Sequence, residues 1–136
     1  MSHKKNVLIL CTGNSCRSIM AEALINARLG DCIEAQSSGV KASGKVNPHA
    51  QALLESKGEW RDHYHSKVIE TVLQTPFDLV VTVCDHAHET CPTFPKAVKT
   101  LHMSFDDPSG KAVEAYEKSY ELIREKLLPV LEQALC

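Results

Sequence analysis

The chain has 136 residues, 43% hydrophobic and 24% charged, with fifteen basic and seventeen acidic side chains giving a net charge of −2. This composition suits one globular domain over residues 1–136 and excludes low-complexity, collagen-like and disordered chains. Near-neutral charge and 5% aromatic content remove the basic arms and stacking surfaces of nucleic-acid binders, and no apolar run reaches the roughly 18 residues of a membrane span.

The first residues, Met1 to Lys5, are basic and lead into an apolar stretch too short for a signal-peptide core, with no small-residue cleavage site. A cytoplasmic location is the expectation. In that compartment structural disulfides are rare, so six cysteines point to catalytic, redox-active, metal-binding or buried thiols.

The continuous apolar run Asn6–Cys11 predicts a strand buried on both faces, as in a parallel sheet. Gly13-Asn14-Ser15 breaks it, and residues 18–27 form a strong helix pattern ending near Gly30. A short strand is expected over Ile33–Ser38. Asn47-Pro48 opens a second helix that Gly58 stops. Asp78–Cys84 is the second clear buried strand, and a weaker one covers Val98–His102. Val113, Tyr116, Tyr120, Ile123 and Leu127 recur every three or four residues, so the last helix docks one face, with Pro129 kinking or ending it. Alternating strands and helices predict an α/β fold. Ligands bind such sheets beyond the carboxyl ends of the strands, where Cys11 and Cys84 both fall.

Residues 11–18, Cys-Thr-Gly-Asn-Ser-Cys-Arg-Ser, sit between strand and helix. The backbone N–H groups of Thr12, Gly13, Asn14, Ser15 and Cys16 can form a nest, and the helix start behind them adds positive potential; together they hold a tetrahedral oxyanion. Gly13 is read as relieving a close approach. Arg17 offers a bidentate fork. The same field lowers the Cys11 thiol pKa, and Ser18 is placed to donate to the thiolate. An ionised nucleophile facing a bound oxyanion implies covalent attack on phosphorus or an analogue.

This loop, with Asp106-Asp107-Pro108 downstream, resembles the low-molecular-weight protein tyrosine phosphatases. With Asp78–Cys84, Cys91-Pro92 and Phe105–Pro108 it is more closely similar to the thioredoxin-coupled arsenate reductases built on that fold. The resemblance runs from about Val7 to the final helix. It implies a three-layer sandwich, a central four-stranded parallel sheet flanked by helices. It also implies that Cys11 attacks arsenate while Asp107 protonates the leaving oxygen. Cys84 then forms a disulfide with Cys11, Cys91 moves the bridge to Cys84–Cys91, and thioredoxin reduces it. No cofactor is implied, and the expected state is a monomer acting without nucleic acid or membrane.

Other readings stand beside this one: a tyrosine phosphatase, an arsenite- or metal-sensing module, a core role for Cys84, and zinc held by Cys84, His86, His88 and Cys91. The residues after Pro108, Ser109-Gly110-Lys111, lack the aromatic pair that embraces a phosphotyrosine ring in the phosphatases. Cys16 is no redox thiol in the family, and Cys32 and Cys136 match no family role. Some relatives bind potassium through an Asn, a Glu, a Ser and a further acid. Asn14, Glu22 and Ser37 match three of these and Lys67 takes the fourth place, so no potassium dependence is expected.

Overall fold

A computed structural model describes residues 4–89 and 98–136. Its elements in chain order are β1 (Lys5–Cys11), α1 (Arg17–Arg28), β2 (Ile33–Gly39), α2 (Pro48–Ser56), β3 (Leu79–Thr82), α3 (Asp85–Glu89), β4 (Lys99–His102) and α4 (Val113–Leu135), with a single 3-10 turn at Ile69–Thr71. The four strands form one parallel sheet in the order β2-β1-β3-β4. This is the expected four-stranded parallel sheet flanked by helices.

β1 lies inside the sheet, so its apolar run is covered on both faces: Val7, Leu8, Ile9 and Leu10 are fully buried. Each such side chain removed from water contributes roughly 1.5–3 kcal/mol, which makes β1 the rigid support for the loop that follows. α1 buries every residue from Ser18 to Asn26 against the sheet and α4.

The helix signals act as read, with one addition. Asn47 caps α2 by accepting from the N–H groups of His49 and Ala50, and Gly58, at φ 72°, takes the left-handed turn that ends it. α3 is new: residues 85–89 carry no apolar periodicity, yet they form a short helix directly after Cys84.

α4 departs from expectation at both ends. Val113 is 55% exposed, because it is the helix's first residue and stands beyond the docked face. Pro129 does not end the helix, which continues to Leu135. Proline has no N–H to donate to the carbonyl of Glu125, and both residues lie on the exposed side of the helix. Leu127, Leu128 and Leu131, buried on the opposite side, keep the helix docked.

Candidate active site

The loop between β1 and α1 is held from outside by its carbonyls. Val40, Lys41 and Ser43 donate backbone N–H groups to the carbonyls of Cys11, Thr12 and Gly13 at 3.0, 3.0 and 2.9 Å, and Asn47 donates to that of Ser15 at 2.8 Å. These four bonds fix the course of the loop's backbone. Cys11 through Arg17, together with Asp107, line a cavity of about 180 Å³, a size suited to a small oxyanion.

Asn14 carries the backbone strain of the turn, with φ 50°. Three bonds hold this fully buried side chain: its Nδ2 donates to Ser18 Oγ (2.8 Å) and Ser37 Oγ (3.0 Å), and its Oδ1 accepts from Lys67 N–H (2.8 Å). Ser18 Oγ accepts from Asn14, which ties the start of α1 to the turn. The steric need assigned to Gly13 belongs elsewhere. A Cβ on Gly13 would meet only Ser15 Oγ at 3.7 Å, whereas one on Gly39 would lie 2.5 Å from the Thr12 carbonyl oxygen. Gly39 ends β2 directly behind the loop and is the glycine the site requires. Close backbone packing between strands distant in sequence leaves no local signal.

Arg17 reaches across the cavity mouth. It donates to the Phe105 carbonyl at 3.0 Å and lies 3.6 Å from Asp107 Oδ2. That joins the loop after β1 to the segment after β4. Burial disfavours the Asp107 carboxylate, but hydrogen bonds from Ser109 and the charges of Arg17 and Lys111 outweigh it and hold its pKa below the ordinary range. An oxyanion that engaged Arg17 and brought its own negative charge would reverse this balance and favour the proton a general acid needs.

Cys11 and Cys84, both buried, face each other closely enough for each to shift the other's pKa. Cys84 also contacts Thr12 Oγ1 at 3.1 Å and accepts from Ala87 N–H at 3.4 Å. The interaction with Cys11 comes first among the effects that hold Cys84 low, at about 4. The pull of Arg17 and of the Thr12 N–H on Cys11 is in the expected direction, but in this arrangement the interaction with Cys84 and burial outweigh it. Cys16, pushed up to about 12 by burial and then by Asp107, is a neutral thiol.

Cys91 and the side chains of His86 and His88 lie outside the described residues, so the bridge to Cys91 and the zinc alternative both fall there. Among the described residues no group of three or more His, Cys, Asp or Glu is placed to hold a metal. Cys32 and Cys136, given no role from the sequence, are joined as a disulfide.

The potassium set does not fit a cation in this chain. Ser37 donates to Glu22 Oε1 at 2.7 Å and accepts from Asn14, whose own oxygen is engaged by Lys67 N–H. Burial pushes Glu22 up to about 7, against the opposing effects of Ser37, Lys67 and His65. These oxygens already serve one another, and a lysine replaces the fourth acid.

The first strand of a parallel sheet thus delivers Cys11 into a small cavity whose mouth Arg17 crosses. The pattern of the family described as "Low molecular weight phosphotyrosine protein phosphatase" matches residues 6–135, and the chain belongs to that family. It is 40% identical over 127 residues to a protein named arsenate reductase from Bacillus cereus (strain 03BB102), covering 93% of this chain and 94% of that one. Among solved structures it is similar to an arsenate reductase from Archaeoglobus fulgidus (TM-score 0.79, 29% identity, covering 93% of this chain and 98% of that one). It is also similar to a low molecular weight protein tyrosine phosphatase from T. tengcongensis (TM-score 0.82, 28% identity, covering 96% and 99%).

Proposed function

We propose that this protein, as a single domain over residues 1–136, reduces arsenate to arsenite. The observation that carries the reading is a second free thiol at the loop: Cys84, buried like Cys11, lies 3.1 Å from Thr12 Oγ1. Hydrolysis of a phosphate ester needs one thiol; reduction of arsenate needs two electrons, which two thiols supply on becoming a disulfide. The name shared by the Bacillus relatives supports the same substrate.

In the proposed sequence arsenate enters the loop, held by the N–H groups of residues 12–16 and by Arg17. The Cys11 proton passes to the neighbouring Cys84, and the freed Cys11 thiolate attacks arsenic. A sulfur–arsenic bond forms while an oxygen leaves as water, taking a proton from Asp107. Cys84 releases that proton to solvent and, as a thiolate again, attacks Cys11 Sγ. The sulfur–sulfur bond forms, the sulfur–arsenic bond breaks, and its electron pair stays on arsenic, giving arsenite. Cys91 then transfers the bridge to Cys84–Cys91, and thioredoxin, a dithiol donor, reduces it. The protein acts in this scheme as a cytoplasmic monomer.

The test is arsenate-dependent NADPH oxidation with thioredoxin and thioredoxin reductase. Wild type turns over, Cys11→Ser does not, and Cys91→Ser stalls after one oxidation with Cys11 bonded to Cys84. A wild type that leaves NADPH untouched yet hydrolyses an aryl phosphate overturns the reading in favour of the phosphatase.

A further inference from the structure

We propose that Cys32 and Cys136 form a second redox site, remote from the catalytic thiols, whose disulfide clamps the end of α4 to the α1–β2 connection and opens to dithiol reductants. The two residues are 104 positions apart, with Cα atoms 5.9 Å from each other, within the range a disulfide spans. Cys32 lies where two backbone ties meet: its N–H donates to the Leu29 carbonyl at 3.0 Å, and its carbonyl accepts from Lys5 N–H at 2.8 Å. The bridge thus joins three places at once, the last turn of α1, the first residue of β1 and the last turn of α4.

The clamp acts where noncovalent support is thinnest. The middle of α4 is well held: Tyr120 donates to Glu59, which also pairs with Arg28 at 3.3 Å. Beyond Pro129 the helix buries only Leu131, while Val130, Glu132, Gln133 and Ala134 are exposed. A bond closing so long a loop removes a large share of unfolded-chain freedom. Its position, at the opposite end of β1 from Cys11, puts it about 20 Å from the catalytic loop, so it acts on the scaffold and not on the chemistry.

Cys136 is exposed and Cys32 partly covered, so an incoming thiolate reaches Cys136 Sγ first. A mixed disulfide forms there, the Cys32–Cys136 bond breaks, and Cys32 leaves as a thiolate. The reductant's second thiol attacks its own sulfur in the mixed disulfide and releases Cys136. The protein disulfide gains two electrons, the dithiol becomes a disulfide, and its two protons end on Cys32 and Cys136. A small-molecule disulfide runs the same steps backward and closes the clamp.

The test compares protein purified without reductant, before and after dithiothreitol, with Cys136→Ser alongside. Thiol counting of the denatured, unreduced wild type finds two fewer thiols than after reduction, and peptide mapping joins Cys32 to Cys136. Reduction lowers the melting temperature of wild type by about 6–12 °C. Cys136→Ser starts at the reduced value and does not respond to dithiothreitol, while its arsenate-dependent turnover equals that of wild type. All six thiols free before reduction, an unmoved melting temperature, or an equal shift in Cys136→Ser would each overturn the proposal. Should Cys136→Ser fail to fold, Cys32→Ser takes its place, and the thiol count of wild type still decides.

Discussion

Two thiols stand at the carboxyl ends of neighbouring strands, and their mutual influence sets the acid–base order of the site. Cys84 gives up its proton near pH 4, far below the ordinary thiol value of about 8.5, while Cys11 is raised. The thiolate ultraviolet absorbance of one sulfur is therefore present at neutral pH and disappears as pH falls through about 4. Cys11→Ala deletes the largest of the interactions that lower Cys84, so the midpoint rises towards the ordinary thiol range. Cys84→Ala abolishes the acidic limb. By linkage the sign is fixed: a folded-state pKa below the unfolded one contributes stability that is complete above the unfolded value and lost as pH falls to the folded one. An acidic limb that survives in Cys84→Ala would place the thiolate on another cysteine.

At the scale of elements, legibility followed the length and regularity of each pattern. β1 was readable because a strand covered on both faces writes a continuous apolar run, and α2 because Asn47, Pro48 and Gly58 mark its ends. α3 was not: five residues, Asp-His-Ala-His-Glu, complete no period. The contiguous loop from Cys11 to Ser18 exposed its chemistry in one stretch, whereas Gly39 and the Phe105 carbonyl serve the site through backbone positions that no side chain advertises. The Cys32–Cys136 pairing joins the α1–β2 connection to the chain's last residue, and spacing alone cannot reveal such a partner.

Pro129 shows why a strong local rule yielded to packing. It sits on the solvent side of α4 while Leu127, Leu128 and Leu131 hold the other side, so the helix persists at the cost of one hydrogen bond. Pro129→Ala restores the N–H and its bond to the Glu125 carbonyl. An interior proline costs about 3 kcal/mol, and alanine forfeits up to about 1 kcal/mol of unfolded-chain rigidity. The variant is therefore about 2–3 kcal/mol more stable in denaturant unfolding. A stability unchanged or lowered would mean that the proline ring makes packing contacts of its own.

For the whole molecule, the proposed relay demands opposite properties of two neighbouring pieces: Cys11 must stay aimed at the cavity while Cys84 travels. The fold divides those demands. β1 is paired on both edges, with β2 and with β3, and its centre is fully buried. α3 has five residues, room for a single i to i−4 backbone bond, and nucleation of so short a helix is unfavourable on its own. A side-chain chain holds its start: His102 Nδ1 lies 2.8 Å from Thr82 Oγ1, and its Nε2 lies 3.0 Å from Asp85 Oδ1. These contacts bind α3 to β3 and to edge strand β4, whose own side chains are largely exposed. Hydrogen exchange should therefore find α3 and β4 amides opening locally, at rates insensitive to mild denaturant, while Val7 to Leu10 exchange only through global unfolding. Protection of α3 equal to that of β1 would leave Cys84 no path to a third thiol without unfolding the support of Cys11, and the relay would have to proceed from Cys84 where it stands.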